Sequence, residues 1–129
     1  MKKINREPLI LNSNNEVGVV DDYNAAVYGA GNNQVAIATG LYGIASVTGA
    51  KNIAIALGQN GVATALSECS LAIGWGSTTK VKGVLNSYIA AAEITADEDL
   101  VIQLKKVDGV NVKADTWYSL IDGELEKIE

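Results

Sequence analysis

The sequence predicts an all-β protein: a parallel β-roll, or solenoid, of eighteen-residue coils, closed by a small antiparallel meander at its C-terminal end. Three observations carry this. From Val17 to Glu93 the chain repeats every nine residues, in rows that include VAIATGLYG, IASVTGAKN, IAIALGQNG and VATALSECS. A fixed period with small residues at fixed places marks stacked, near-identical units. Within each row the first five residues alternate in character, which is the period-two mark of a strand. The last four are rich in Gly, Asn, Ser and Thr, which supply turns.

Small residues occupy the second and fourth positions of the rows. Ala36, Ala45, Ala54, Ala63, Ala72 and Ala90 stand at the second, and Ala38, Val47, Ala56, Ala65, Gly74 and Ala92 at the fourth. Odd and even rows differ. Odd rows carry Val35-Ala36-Ile37-Ala38, Ile53-Ala54-Ile55-Ala56 and Leu71-Ala72-Ile73-Gly74, whereas even rows are more polar, with Ser46, Thr48, Thr64, Lys80 and Lys82. Two rows therefore make one coil of strand, turn, strand, turn. Coils stacked about 4.8 Å apart would pair odd strands with odd and even with even, in two parallel sheets.

A one-residue slip exchanges the faces of a strand. With the first, third and fifth positions inward, Lys80, Lys82, Ser46 and Thr64 would enter the core without evident partners, which is costly. With the second and fourth inward, the interior is Ala, Gly and a few Val, which suits a thin roll. The second arrangement is the expected one. It leaves Val35, Ile37, Ile53, Ile55, Leu57, Leu71, Ile73 and Trp75 on the outside of one sheet. An exposed ladder of large apolar residues marks an interaction surface, so these eight are the candidate oligomer interface.

The units Asn52-Ile53-Ala54-Ile55-Ala56-Leu57-Gly58 and Ser70-Leu71-Ala72-Ile73-Gly74-Trp75-Gly76 resemble the head repeats of trimeric autotransporter adhesins, over residues 26 to 92. The resemblance implies a thin left-handed parallel β-roll, with small residues inside and aliphatics facing the axis of a homotrimer. The eighteen-residue coil is longer than that family's repeat, and neither a coiled-coil stalk nor a membrane anchor is evident. Residues 80 to 129, with Val107-Asp108-Gly109-Val110-Asn111-Val112 and Trp117-Tyr118-Ser119-Leu120, are similar to the end module of short uncharacterised proteins of gut Bacteroidales and their phages. That resemblance implies no activity.

The rest divides simply. Residues 1–16 read as an N-terminal leader that caps the first coil through Leu9-Ile10-Leu11, or attaches to a larger assembly. Residues 17–93 are the roll and 94–129 the C-terminal cap. In the cap, Leu100 to Val107 alternates as a strand, Asp108-Gly109 is a hairpin signal leading into Val110-Asn111-Val112, and Thr116 to Leu120 is another strand. Asp122-Gly123 is a second turn, and Glu124 to Ile128 the last strand.

Ten basic against fifteen acidic residues give a net charge of −5, with no basic stripe, so nucleic acid is not expected as a partner. Only Lys51 and Glu68 are charged between Tyr23 and Thr79, a neutrality that favours burial between subunits. Neither a transmembrane run nor a signal peptide is evident. No His is present, which removes His-based general base catalysis and the usual zinc sites, and separates the chain from hexapeptide-repeat acyltransferases. Calcium-binding nonapeptide rolls share the period, but their turns carry Gly-Gly-x-Gly-x-Asp, and the turns here have no carboxylate ladder.

Other features have bland readings. Asp21-Asp22 and Asp97-Glu98-Asp99 read as solvated turn residues. Gly29-Ala30-Gly31 is followed by no helix that could present its N-terminus to a phosphate. Cys69 has no neighbour to activate its thiol, and Trp117 and Tyr118 point to opposite faces of their strand. The expectation is a non-enzymatic structural protein without metal or cofactor: a homotrimeric roll in a phage virion, as fibre or decoration, or at a surface, located in the virion or the cytoplasm. The alternative is a module that binds a glycan or receptor through its loops or end meander.

Overall fold

A computed structural model describes residues 7–75 and 78–128; the predicted leader residues Met1–Arg6 and the Gly76-Ser77 part of a predicted turn lie outside it. Thirteen strands are described and no helix: β1 Leu9–Leu11, β2 Val17–Val20, β3 Ala26–Gly29, β4 Val35–Ala38, β5 Ile44–Val47, β6 Ile53–Ala56 and β7 Val62–Ala65. They continue as β8 Leu71–Trp75, β9 Lys80–Gly83, β10 Tyr88–Ile94, β11 Leu100–Lys106, β12 Tyr118–Ile121 and β13 Glu124–Lys127. Two sheets form, ordered β1-β3-β5-β7-β9-β12-β13 and β11-β10-β8-β6-β4-β2. From β1 to β9 all pairs within the roll are parallel and every partner lies eighteen residues away, as in Val35↔Ile53↔Leu71 and Ala45↔Ala63↔Val81. The chain is a β-solenoid of about five turns.

The inward positions are the small ones. Ala36, Ala38, Ala45, Val47, Ala54, Ala56, Ala63, Ala65, Ala72 and Val81 are fully buried between the sheets. Methyl groups keep the two sheets close along the middle of the roll, and bulk is held for the ends. Leu11 of β1 plugs the first coil, where a Cβ on Gly18 would stand 2.5 Å from its Cδ2. At the other end Ile89, Val107, Val112, Tyr118 and Leu120 fill a wider core.

Seven described turns use a left-handed residue nine apart in the chain, the eighth position of the row: Asn15, Asn24, Asn33, Tyr42, Lys51, Asn60 and Cys69 all have φ between 57° and 64°. Four of the seven are Asn, the side chain that tolerates this region best after glycine. The backbone ladder continues through the corners, with the Asn24 N–H donating to the Leu41 carbonyl (2.8 Å) and the Asn33 N–H to that of Ala50 (3.1 Å).

The period breaks once, and the break corrects the expected register. The half-coil Lys80–Ser87 has eight residues, and its left-handed residue is Asn86, φ 71°. β10 therefore pairs as Tyr88↔Leu71, Ile89↔Ala72 and Ala91↔Gly74. Ile89 and Ala91 point inward, and Ala90 and Ala92, expected inside, lie on the outer face. One deleted residue exchanges every side chain of the strand that follows.

The C-terminal segment is antiparallel, as expected, and it closes the roll by continuing both sheets. β11 folds back antiparallel on β10 and extends one sheet, while the β12–β13 hairpin extends the other, with Tyr118 opposite Val81. Its Asp122 (φ 51°) and Gly123 (φ 82°) are both left-handed, as a two-residue turn matching strand twist requires. Asp108 and Gly109 make no hairpin, and Val110–Val112 is not a strand. Instead, the Asp108 carboxylate accepts the N–H groups of Val110, Asn111 and Val112 at 2.9, 2.8 and 3.0 Å.

Those bonds, the one from Val112 foremost and then that from Val110, hold the exposed Asp108 carboxyl below its usual value of 3.8. A depressed pKa makes the loop's stabilisation complete above that value and lost as pH falls through the lower one. Amide hydrogen exchange at Val110 and Val112 should accelerate as pH drops below about 3.8, beyond the intrinsic rate, and Asp108→Ala should show the fast exchange already at neutral pH. Unchanged protection in Asp108→Ala would contradict this role.

Candidate oligomer interface

Because the second and fourth positions point inward, the others of the six-stranded sheet stand on its outer face in straight columns. One column runs Val17, Val35, Ile53, Leu71 and Tyr88, and the next Val19, Ile37, Ile55, Ile73 and Ala90. The expected interface residues Val35, Ile37, Ile53, Ile55, Leu71 and Ile73 all lie here, each half-buried by its neighbours above and below. Trp75 ends β8 on the same side, 38% exposed. Leu57 lies just beyond β6, where its N–H still donates to the Ala38 carbonyl (2.9 Å), and it is exposed.

The face is larger than the repeat alone indicates. β11 adds Leu104, Ile102 and Leu100 opposite Ala90, Ala92 and Ile94. Leu100, Ile102, Leu104 and Ile94 are all more than half exposed. The alternation of Leu100, Ile102 and Leu104 was visible in the sequence; their place on this sheet was not, since it depends on β11 folding back on β10. Ala90 and Ala92 are short between Ile73 and Trp75 on one side and Leu104 and Ile102 on the other, so a shallow apolar trough runs along β10. Six strands span about 24 Å and four or five residues about 15 Å. Charge enters only at opposite corners, with Asp21 after β2 and Lys106 at the end of β11.

The outer face of the seven-stranded sheet differs. Tyr28, Ser46, Thr64 and Lys82 form one in-register column, and the Thr64 hydroxyl donates to Ser46 Oγ (2.5 Å). Both hydroxyl residues are buried although they stand on the outward side of their strands. The adjacent column Ala26, Ile44, Val62 and Lys80 is apolar for three residues, so this face is mixed rather than polar throughout. Lys80 and Lys82 both reach the Trp117 ring, 4.7 and 4.5 Å from its centre. Cation–π contacts of this kind contribute about 0.5–1 kcal/mol at exposed sites. Tyr118, its neighbour, is buried, and its hydroxyl accepts the Lys113 N–H (2.8 Å).

Polar groups inside the roll serve its corners. Gln34, Asn52, Ser70 and Ser87 are buried at one edge. Asn52 Oδ1 accepts the Gln34 N–H (2.8 Å) and its Nδ2 donates to the Gly31 carbonyl (2.6 Å), while Gln34 Nε2 donates to the Leu11 and Ser13 carbonyls, both at 2.7 Å. Every buried side-chain polar atom among the described residues has a partner. No group of three or more His, Cys, Asp or Glu among the described residues could hold a metal ion. The exposed Cys69 is a turn residue. Open depressions lie beside Glu7, Asp21 and Asp22 and beside Glu93, Thr95 and Asp122. No helix of the described residues is long and apolar enough to cross a membrane. No protein-family model, curated protein or solved structure matches the chain.

Proposed function

We propose that the chain is a structural, non-enzymatic module that works as a homo-oligomer, its rolls standing side by side with their six-stranded faces together. The observation that carries the reading is the extent of uncharged, apolar sheet from Val17 to Leu104, broken only at two corners. A core of methyl groups buries little area per residue, whereas this outer face carries large side chains. Burying one of them fully contributes about 1.5–3 kcal/mol, so the face outweighs a substantial cost of association.

Three copies around an axis suit a narrow strip on a thin roll, because cyclic closure ends growth without leaving an open patch. The resemblance to trimeric adhesin heads favours three as well. A rigid, self-associating rod with no assembled chemistry fits a fibre or decoration of a virion or a surface, and that is the role proposed.

Light scattering on the purified chain tests it. The wild type should be oligomeric, and Ile55→Lys, at the centre of the face, should dissociate because a buried unpaired ammonium costs several kcal/mol. Ile44→Lys, at a half-buried site on the opposite sheet, should leave the mass unchanged. Thr64 is a poor control: it is buried, bonded to Ser46 and in register with Lys82. A monomeric wild type would sink the proposal.

A further inference from the structure

The strands at the two ends of each sheet are unequal. β1, β2 and β13 have three or four residues, whereas β11 has seven and ends its sheet with one edge unpaired by any described strand. A long edge is a template for another strand. Its sequence, read with the turn before it, is Glu98-Asp99-Leu100-Val101-Ile102-Gln103-Leu104-Lys105-Lys106: two acids, a five-residue apolar centre with one Gln, two bases.

Within the chain these charges face no opposite charge along the ladder. Lys105 and Lys106 pair with Ile89 and Tyr88. Glu98 and Asp99 belong to the tight connection from β10, where the Glu98 N–H donates to the Thr95 carbonyl (2.9 Å) and the Asp99 N–H to Thr95 Oγ1 (3.2 Å). All four side chains are exposed.

We infer that β11 pairs antiparallel with the β11 of a second copy, joining two rolls end to end about a two-fold axis at Ile102. That register sets Leu100 against the partner's Leu104. It also brings Asp99, just before the strand, and Glu98, in the turn that leads into it (φ 64°), to the end of the ladder where the partner's Lys105 and the partner's Lys106 lie, and by symmetry the reverse. Isolated lysines on an edge repel other strands; here each pair of bases meets a pair of acids. A parallel joint would set lysine on lysine, and like charges directly opposite destabilise a ladder.

The contact is isologous, so it closes after two copies instead of growing into a filament. Residues opposite one another share a face, so Leu100, Ile102 and Leu104 of both copies carry the apolar sheet face across the joint without interruption. Combined with side-by-side association, a ring of n rolls becomes 2n, and a trimer becomes a hexamer. The number rests on the proposed function; the joint does not.

Light scattering with charge-reversed variants tests it, since exposed reversals leave the fold intact, as circular dichroism would verify. Lys105→Glu with Lys106→Glu should halve the wild-type mass, and so should Glu98→Lys with Asp99→Lys. All four reversals together should restore it, which a merely structural role for these residues would not do. Ile55→Lys should leave a dimer held by β11 alone. An unchanged mass in the two-site variants, a four-site variant that stays at half mass, or open-ended polymers would overturn the joint. A wild-type trimer indifferent to the β11 changes would overturn it while sparing the side-by-side face. A dimer split by the β11 changes but not by Ile55→Lys would do the opposite.

Discussion

Gly58→Ala should lower the stability of the roll by roughly 3 kcal/mol or more, at the upper end of what overpacking a well-filled site costs. The Cβ it introduces would stand 2.1 Å from the Gly40 carbonyl oxygen and 2.7 Å from that of Thr39, and Gly40 itself sits over the Asp22 carbonyl. These atoms are backbone of the adjacent coil, fixed by the hydrogen bonds that set the spacing of the stack, such as Leu57 N–H to Ala38 C=O (2.9 Å). A flexible side chain could swing away; a peptide plane in a ladder cannot move alone. The coils would have to part at this corner. At about 3–5 °C per kcal/mol for a chain of this size, a fall in melting temperature near 10 °C is expected. A loss below about 2 °C would show that the corner yields more easily than its geometry implies.

Asn52→Leu should cost about 3–5 kcal/mol by a different route. Asn52 is buried between coils, and its amide serves two backbone groups at once: Oδ1 takes the Gln34 N–H (2.8 Å) and Nδ2 reaches the Gly31 carbonyl (2.6 Å). Leucine has nearly the same shape and satisfies neither. Each buried group left without a partner costs about 1–3 kcal/mol, and burial of two extra methyls recovers only part of that. Asn32 makes a similar bond, accepting the Ala50 N–H (3.0 Å), but it is exposed, and water would replace it. Asn32→Ala should therefore lose less than about 1 kcal/mol. Thermal or urea unfolding of the two variants makes the comparison. Equal losses would mean that the corner amide ladder matters less than packing around it.

Much of this architecture was legible because a solenoid repeats its own instructions. Val35, Ile53 and Leu71 stand eighteen residues apart in the chain and directly above one another in the sheet. A pattern read once is confirmed at every coil. Inward and outward sets followed from Lys80 and Lys82, since no Ala-lined interior could hold two ammoniums. The same reasoning located six of the eight expected interface residues within the strands of the sheet face, with Trp75 at a strand end and Leu57 just beyond one.

Failures came where the period stops. Nothing local announces that Lys80–Ser87 is one residue short, because Asn86 and Ser87 are equally good turn residues. Only the pairing Tyr88↔Leu71, against bulky Ile89 in a widened end of the core, selects the register. Asp108-Gly109 carried a hairpin signal, but the carboxylate found three amides of its own loop, and a capped loop displaced the strand.

Local pattern thus determined the coil, its eighteen-residue rise and the chemical character of each face, because period-two alternation and turn chemistry act over a few residues and recur. The tertiary structure alone decided where β11 goes. Leu100, Ile102 and Leu104 would complete an apolar face beside any strand long enough to pair with them. Docking on β10 puts them on the outer face of the six-stranded sheet and turns the unpaired edge, with its two acids and two bases, toward whatever lies beyond the end of the roll. Long-range pairing of this kind depends on which edge is free when the strand arrives, and no window of sequence contains that information.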